Sequence, residues 1–350
     1  MAVAYSHIEK NKRNSVIIAL LFPLSVMIFT YLAVTGFYLL LGVLSYFRPT
    51  AYMTFGSTLQ VACVAAWKSC HWILPLVFAI SAFWAYIALK DGDQLIIDMV
   101  PRARLLPPWE EDDVHRMLEN ICITIGEPIP QLYVLDEESL NAFSVGVRPE
   151  HSAIILSAGL LKKLSRPQIE GVLAHELSHI RNYDVRLMTM LIMCLAFFTF
   201  AGEYFVYGTE KENADSGFHV RVPILVYVGI MLLGYGYVIA PFLRFVFSHT
   251  REKLADAQAA LITRNPRALA QALWFISENS HLSSMSHSEL LGLLCIDDPN
   301  RSSSVFARMS GIMQSHPPIG ERIQALNDMD GLFLNLPTTP DLNEGYEQLL

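Results

Sequence analysis

Charge is scarce in this 350-residue chain: 17% of its residues are Asp, Glu, Lys or Arg, while 53% are hydrophobic. Soluble domains carry nearer a quarter charged residues, so the deficit excludes an ordinary water-soluble composition. Cysteines are few and odd in number (Cys63, Cys70, Cys122, Cys194, Cys295), with no C-x-x-C spacing. That excludes a disulfide framework and fits a reducing compartment. No basic stripe accompanies the formal net charge of −8, which argues against nucleic acid as a partner. No internal repeat is visible.

The missing charge is missing in blocks. Residues 15–47 carry none, nor do residues 69–89 between Lys68 and Lys90 or residues 222–243 between Arg221 and Arg244. Residues 187–207 are interrupted only by Glu203. Each run can cross roughly 30 Å of hydrocarbon as a helix, so four transmembrane helices are expected, at 16–41, 69–89, 187–207 and 222–243. The first run is more than twice the length of a signal-peptide core (about 7–15 residues), which favours a retained anchor. Lys10, Lys12 and Arg13 precede the first span, and Lys90, Arg102, Arg104, Arg181 and Arg186 lie between the second and third. The intervening loops hold only Arg48, Lys68, Lys211 and Arg221. The bias places the tail (1–15), residues 90–186 and residues 248–350 in the cytoplasm, in an integral, multi-pass membrane protein.

Residues 90–186 and 248–350 together suffice for one domain, made discontinuous by the third and fourth spans. It reads as mainly α with a small β-sheet. An amphipathic helix is expected over 110–125, with Val114, Met117, Leu118 and Ile121 at helical spacing. Short strands are expected at 131–135, 142–147 and 153–156, and helices at 250–263, 266–278 and 319–327. The Ser-rich stretch 281–304 reads as a surface linker.

His175-Glu176-Leu177-Ser178-His179 is an H-E-x-x-H pattern. Ser165 and Gln168 form a capping box around Pro167, and Ile169, Val172, Leu173, Leu177 and Ile180 continue at helical spacing. On that helix His175 and His179 share one face one turn apart, within reach of one zinc ion. Glu176 stands beside them, placed to take a proton from a water at that metal. A catalytic zinc needs a third protein ligand. Glu252-Lys253-Leu254-Ala255-Asp256, just past the fourth span, offers two carboxylates on one helical face. One can bind metal while the other orients a histidine through its second ring nitrogen.

Together with Asn141-Ala142-Phe143-Ser144-Val145-Gly146 and the late His316-Pro317-Pro318 followed by Glu321-Arg322, these elements resemble the HtpX-type membrane metalloproteases, relatives of the CAAX prenyl proteases. The likeness spans nearly the whole chain; the N-terminal tail, the Ser-rich stretch and the residues beyond Asp330 have no counterpart in it. The resemblance implies a zincin-like (gluzincin) cytoplasmic domain in a bacterial inner membrane, with one zinc per chain held by His175, His179 and Glu252 and with Glu176 as general base. Asp256 and Asp184 would support the ligands, and Arg322 would pair with a carboxylate such as Asp256. His316 would stabilise the oxyanion or cap the metal at rest.

Residues Asn141, Ala142, Phe143, Ser144, Val145 and Gly146 would form an edge strand that captures substrate backbone. Ser144-Val145 replaces the Ala-Thr common in such chains, with little consequence expected because strand pairing uses backbone. The implied activity is zinc-dependent endopeptidase cleavage of membrane or misfolded proteins, in quality control and stress response. A prenyl protease would have more spans, and a non-proteolytic adaptor would not need Glu176. An intramembrane protease would take its third ligand from Leu-Asp-Gly, which does not occur here.

Overall fold

A computed structural model describes residues 2–46, 55–100, 102–212, 229–232, 234, 249–278, 296 and 317–330. The chain divides into two compact units. One comprises Asn14–Lys90 and Met193–Ala240; the other gathers Met1–Arg13, Asp91–Ile192 and Pro241–Leu350.

The first unit is helical. Its elements are most of α1 (Ala2–Tyr46), α2 (Phe55–Cys70), most of α3 (Leu74–Met99) and most of α7 (Asp184–Glu212). Three segments are long and apolar enough to cross a membrane: Ile8–Gly42, Leu74–Met99 and Asp184–Gly202, with mean hydropathies of 2.4, 1.4 and 1.9. The expected fourth span at 222–243 lies largely outside the described residues. The second begins at Leu74 rather than residue 69, with Pro75 in its first turn, where a missing N–H costs nothing. A turn separates it from α2, a 16-residue helix ending in Cys70 that was not foreseen. Leu20, Leu32, Leu76 and Phe83 are exposed, an outward apolar surface suited to lipid. Inside the unit, contact relies on small residues and rings, as it must where lipid removes the hydrophobic drive between helices. Ala62 and Ala66 are buried one turn apart, Phe22 meets Phe197 edge-on at 5.5 Å, and Trp84 Nε1 donates to the Met193 carbonyl at 2.9 Å. Helix α3 is broken at Asp91 (φ −130°, ψ 22°), where charge returns to the sequence.

The second unit holds a four-stranded mixed sheet in the order β1-β2-β4-β3. Its strands are β1 (Ala103–Leu105), β2 (Gln131–Leu135), β3 (Ala142–Arg148) and β4 (His151–Ser157). β2 and β4 run parallel, with Leu132 opposite Ile154; β3 runs antiparallel to β4, with Ser144 opposite Ile154. β3 therefore forms one edge. β1 escaped the sequence reading because three residues cannot show an alternation. The helices are α4 (Asp112–Ile125), α5 (Ala158–Lys163), α6 (Arg166–Arg181), α8 (His249–Thr263), α9 (Pro266–Glu278) and α10 (Ile319–Asp330). Gly126 ends α4 in the left-handed region (φ 71°), which glycine adopts without Cβ strain.

Helix α6 occupies the centre. The capping box is formed, with the Ser165 N–H donating to Gln168 Oε1 at 2.8 Å. Val172, Leu173, Ala174 and Leu177 are fully buried in one core with Leu132, Ile154, Leu156, Leu269 and Leu273. Each fully buried aliphatic side chain of this size contributes about 1.5–3 kcal/mol. Gly171 lets α9 approach closely: a Cβ there would lie 3.2 Å from the Leu269 Cα. The helix that carries H-E-x-x-H is thus held on several sides by packed apolar side chains.

Candidate metal centre

Both histidines of α6 turn their Nε2 atoms toward one point. His175 Nε2 and His179 Nε2 are 3.2 Å apart, with rings 4.8 Å centre to centre at 87°. Glu252, in the first turn of α8, brings Oε1 to 3.5 Å from His179 Nε2 and Oε2 to 3.8 Å from His175 Nε2. Donors bound to one zinc at ~2.1 Å in tetrahedral directions lie ~3.4 Å from each other. The observed spacings bracket that figure, so this donor set fits a zinc-sized ion.

The outer ring nitrogens are anchored. His175 Nδ1 lies 3.0 Å from Asp256 Oδ1, and His179 Nδ1 lies 3.2 Å from Asp184 Oδ2. A carboxylate on Nδ1 fixes the tautomer that leaves Nε2 available to a metal. Asp256 is in turn gripped by Arg322, fully buried on α10, whose Nε and a terminal nitrogen each donate at 2.8 Å. The other terminal nitrogen of Arg322 stands 3.4 Å from Glu252 Oε2. Burial pushes the Asp256 carboxyl pKa up, but the Arg322 charge and hydrogen bonds outweigh it and bring it to about 2. Burial likewise opposes a charge on His179, yet the carboxylates of Glu252, Asp184 and Glu176 prevail and raise its pKa to about 9.

Glu176 is buried beside this cluster, and its Oε2 accepts a hydrogen bond from Ser144 Oγ at 2.6 Å. The expectation that Ser144 matters only through its backbone therefore needs correcting. The side chain is 4% exposed and holds the carboxylate next to the metal ligands. The reason is geometric, because β3 packs against α6. Residues 142–147 of β3 are all buried, Phe143 and Val145 nearly completely, and only Arg148 at its end is exposed.

At the β3 edge the Ala142 carbonyl accepts from the Ile296 N–H at 3.1 Å, while Asn141 Oδ1 accepts from the same N–H at 3.2 Å. Gly146 N–H donates to Thr189 Oγ1 at 3.3 Å. Ile296 is 2% exposed, so at this residue the stretch 281–304 is not the surface linker expected; its remaining residues lie outside those described. His316 also lies outside them.

The structure thus brings together His175, Glu176, His179, Glu252, Asp256, Asp184, Arg322 and Ser144. Three further participants were missed by sequence reasoning: the Ser144 hydroxyl, Arg251 at 3.5 Å from Asp184 Oδ1, and Asn11, which donates to that same oxygen at 2.7 Å. The one signal for Ser144 was the departure from Ala-Thr, whereas an asparagine among lysines gives none.

Comparison with known proteins places this geometry among peptidases. Residues 108–330 match peptidase family M48. The chain is 31% identical over 324 residues to a protein of Bacteroides fragilis named Protease HtpX homolog, covering 91% of this chain and 96% of that one. It is 30% identical over 302 residues to the Protease HtpX homolog of Listeria monocytogenes, covering 81% and 97%. Among solved structures, S. mikatae Ste24p is similar with a TM-score of 0.38 at 19% identity, covering 83% of this chain and 81% of that one. A match that runs from the start of α4 to the end of α10 takes in every residue of the donor set, and by it the chain belongs to peptidase family M48.

Proposed function

We propose that this membrane metalloprotease is a zinc endopeptidase with one zinc per chain, held by His175, His179 and Glu252. The observation that carries the reading is the convergence of two Nε2 atoms and one carboxylate at 3.2–3.8 Å, with both Nδ1 atoms anchored on carboxylates. When bound, zinc supplies a Lewis acid that lowers the pKa of its water toward ~7 and polarises the scissile carbonyl.

The chain's own groups do the rest. Glu176 accepts the proton of the attacking water and delivers it to the leaving amine. The Ser144 hydroxyl engages Oε2, which leaves Oε1 for that proton. Asp256, Asp184 and Arg322 keep the histidines oriented, and His316, by family resemblance, supplies the oxyanion contact. The Ala142 carbonyl and the Gly146 N–H use the edge of β3 that β4 leaves uncovered. Backbone alternation therefore aims the Ser144 amide and carbonyl to that side as well. We take Asn141–Gly146, centred on Ser144, as the strand that receives an extended substrate backbone.

The substrates are peptide bonds of membrane or misfolded proteins, met beside a lipid bilayer, and no nucleic acid partner is involved. By family resemblance the membrane is a bacterial inner membrane, and the lysine and arginine distribution supports a cytoplasmic catalytic unit. A cysteine introduced at Ser216 should then be labelled from the outer side alone. The deciding experiment is metal analysis of detergent-purified protein together with a proteolysis assay, using Glu176→Gln as control. The variant should bind one zinc and cleave at least ~100-fold more slowly; cleavage at the wild-type rate would sink the reading.

A further inference from the structure

The corner between α6 and α7 carries strain. Asn182 caps α6, Asp184 opens α7, and Tyr183 between them has φ 56°, left-handed for a residue with a Cβ. Two residues of the N-terminal segment grip that corner. Asn11 is 4% exposed, although Glu9, Lys10 and Arg13 around it face solvent. Its Nδ2 donates to the Asn182 carbonyl at 2.9 Å and to Asp184 Oδ1 at 2.7 Å, so both amide hydrogens are spent on the corner. Lys12 places its ammonium 4.3 Å from the centre of the Tyr183 ring.

Asp184 has two oxygens with separate tasks. Oδ2 faces His179 Nδ1, while Oδ1 takes the Asn11 amide and, more distantly, Arg251. Holding Oδ1 fixes the plane of the carboxylate and hence the direction of Oδ2. The Asn182 bond fixes the backbone that carries both.

We propose that Asn11 is a positioning residue of the metal centre: acting through Asp184, it sets the orientation in which His179 presents Nε2. It rests on the reading of His179 as a metal ligand. Asn11 lies on α1, in the first turns of the segment Ile8–Gly42 that is long and apolar enough to cross a membrane. The metal site is therefore completed by the helix that anchors the chain.

The test is zinc affinity of the purified full chain, measured by competition with a chromogenic chelator. Asn11→Ala should raise Kd about tenfold, the lower end of what loss of an outer partner costs a metal site. Asn11→Asp, nearly the same shape but unable to donate and opposed to the Asp184 charge, should raise it at least as much. In an Asp184→Asn background neither change should weaken zinc further, since both act through that carboxylate. Lys12→Met, which leaves the amide fork intact, should stay within twofold of wild type. Affinity within twofold of wild type in both Asn11 variants would overturn the proposal. So would losses that add in full to that of Asp184→Asn, or a Lys12→Met loss equal to that of Asn11→Ala. A wild-type chain that binds no zinc would instead refute the zinc reading.

Discussion

Arg322→Met should be the most destabilising single change near the site. The guanidinium is fully buried and makes two 2.8 Å bonds to Asp256 while standing 3.4 Å from Glu252. Methionine keeps much of the stem volume, so the loss is electrostatic rather than a cavity. Removing one partner of a buried pair strands the other charge, at a cost of about 3–5 kcal/mol. For a unit of roughly 200 residues each kcal/mol moves the unfolding midpoint about 2–4 °C. The expected fall is then about 6–20 °C in chelator. Adding zinc should narrow the gap, because the ion takes over the neutralisation of Glu252. Asp256→Asn in the same chain should recover part of the loss by removing the stranded charge. The assay is thermal unfolding of the detergent-purified chain followed by tryptophan fluorescence, to which Trp274 in the core contributes. A midpoint for Arg322→Met within about 2 °C of wild type in chelator would refute the argument.

Zinc affinity should depend on pH through His179, whose pKa in the metal-free protein is raised to about 9. Zinc must displace that proton, so apparent Kd should fall about tenfold per unit from pH 7 to 8 and level off above about 9; a flat titration of Kd would contradict it. The same shift favours the folded metal-free protein. That contribution is fully present below the unfolded pKa of about 6.5 and is lost as pH rises through about 9, a trend that unfolding midpoints in chelator would reveal. Ser144→Ala should lower kcat about tenfold with KM nearly unchanged, because a charge-assisted hydrogen bond to the general base disappears while the strand backbone stays. A change confined to KM would place Ser144 in substrate binding instead.

What could be read in advance follows range along the chain. The capping box, the apolar stripe of α6 and the one-turn spacing of His175 and His179 are local, and local periodicity displays them. Glu252 lies 73 positions beyond His179 and was assigned through family resemblance, since an acidic residue in a mixed-charge stretch is ordinary by itself. The pairing of Arg322 with a carboxylate such as Asp256 came with the family resemblance; its bidentate geometry and complete burial did not. Asn11 was illegible because its partners, Asn182 and Asp184, lie 171 and 173 positions away, and nothing local makes one polar residue of a charged tail face inward. β1 and α5 are too short to carry a period.

Counting formal charges around the two histidines shows what the site is built to hold. Glu176, Glu252, Asp256 and Asp184 contribute four negative charges, and Arg322 and Arg251 contribute two positive ones. With neutral imidazoles the cluster sums to −2, which a divalent cation cancels. In the metal-free protein at neutral pH, the proton on His179 supplies one of the two missing charges. Metal and proton are thus rivals for one electrostatic deficit, and chelation at pH 7 amounts to exchanging a double charge for a single one.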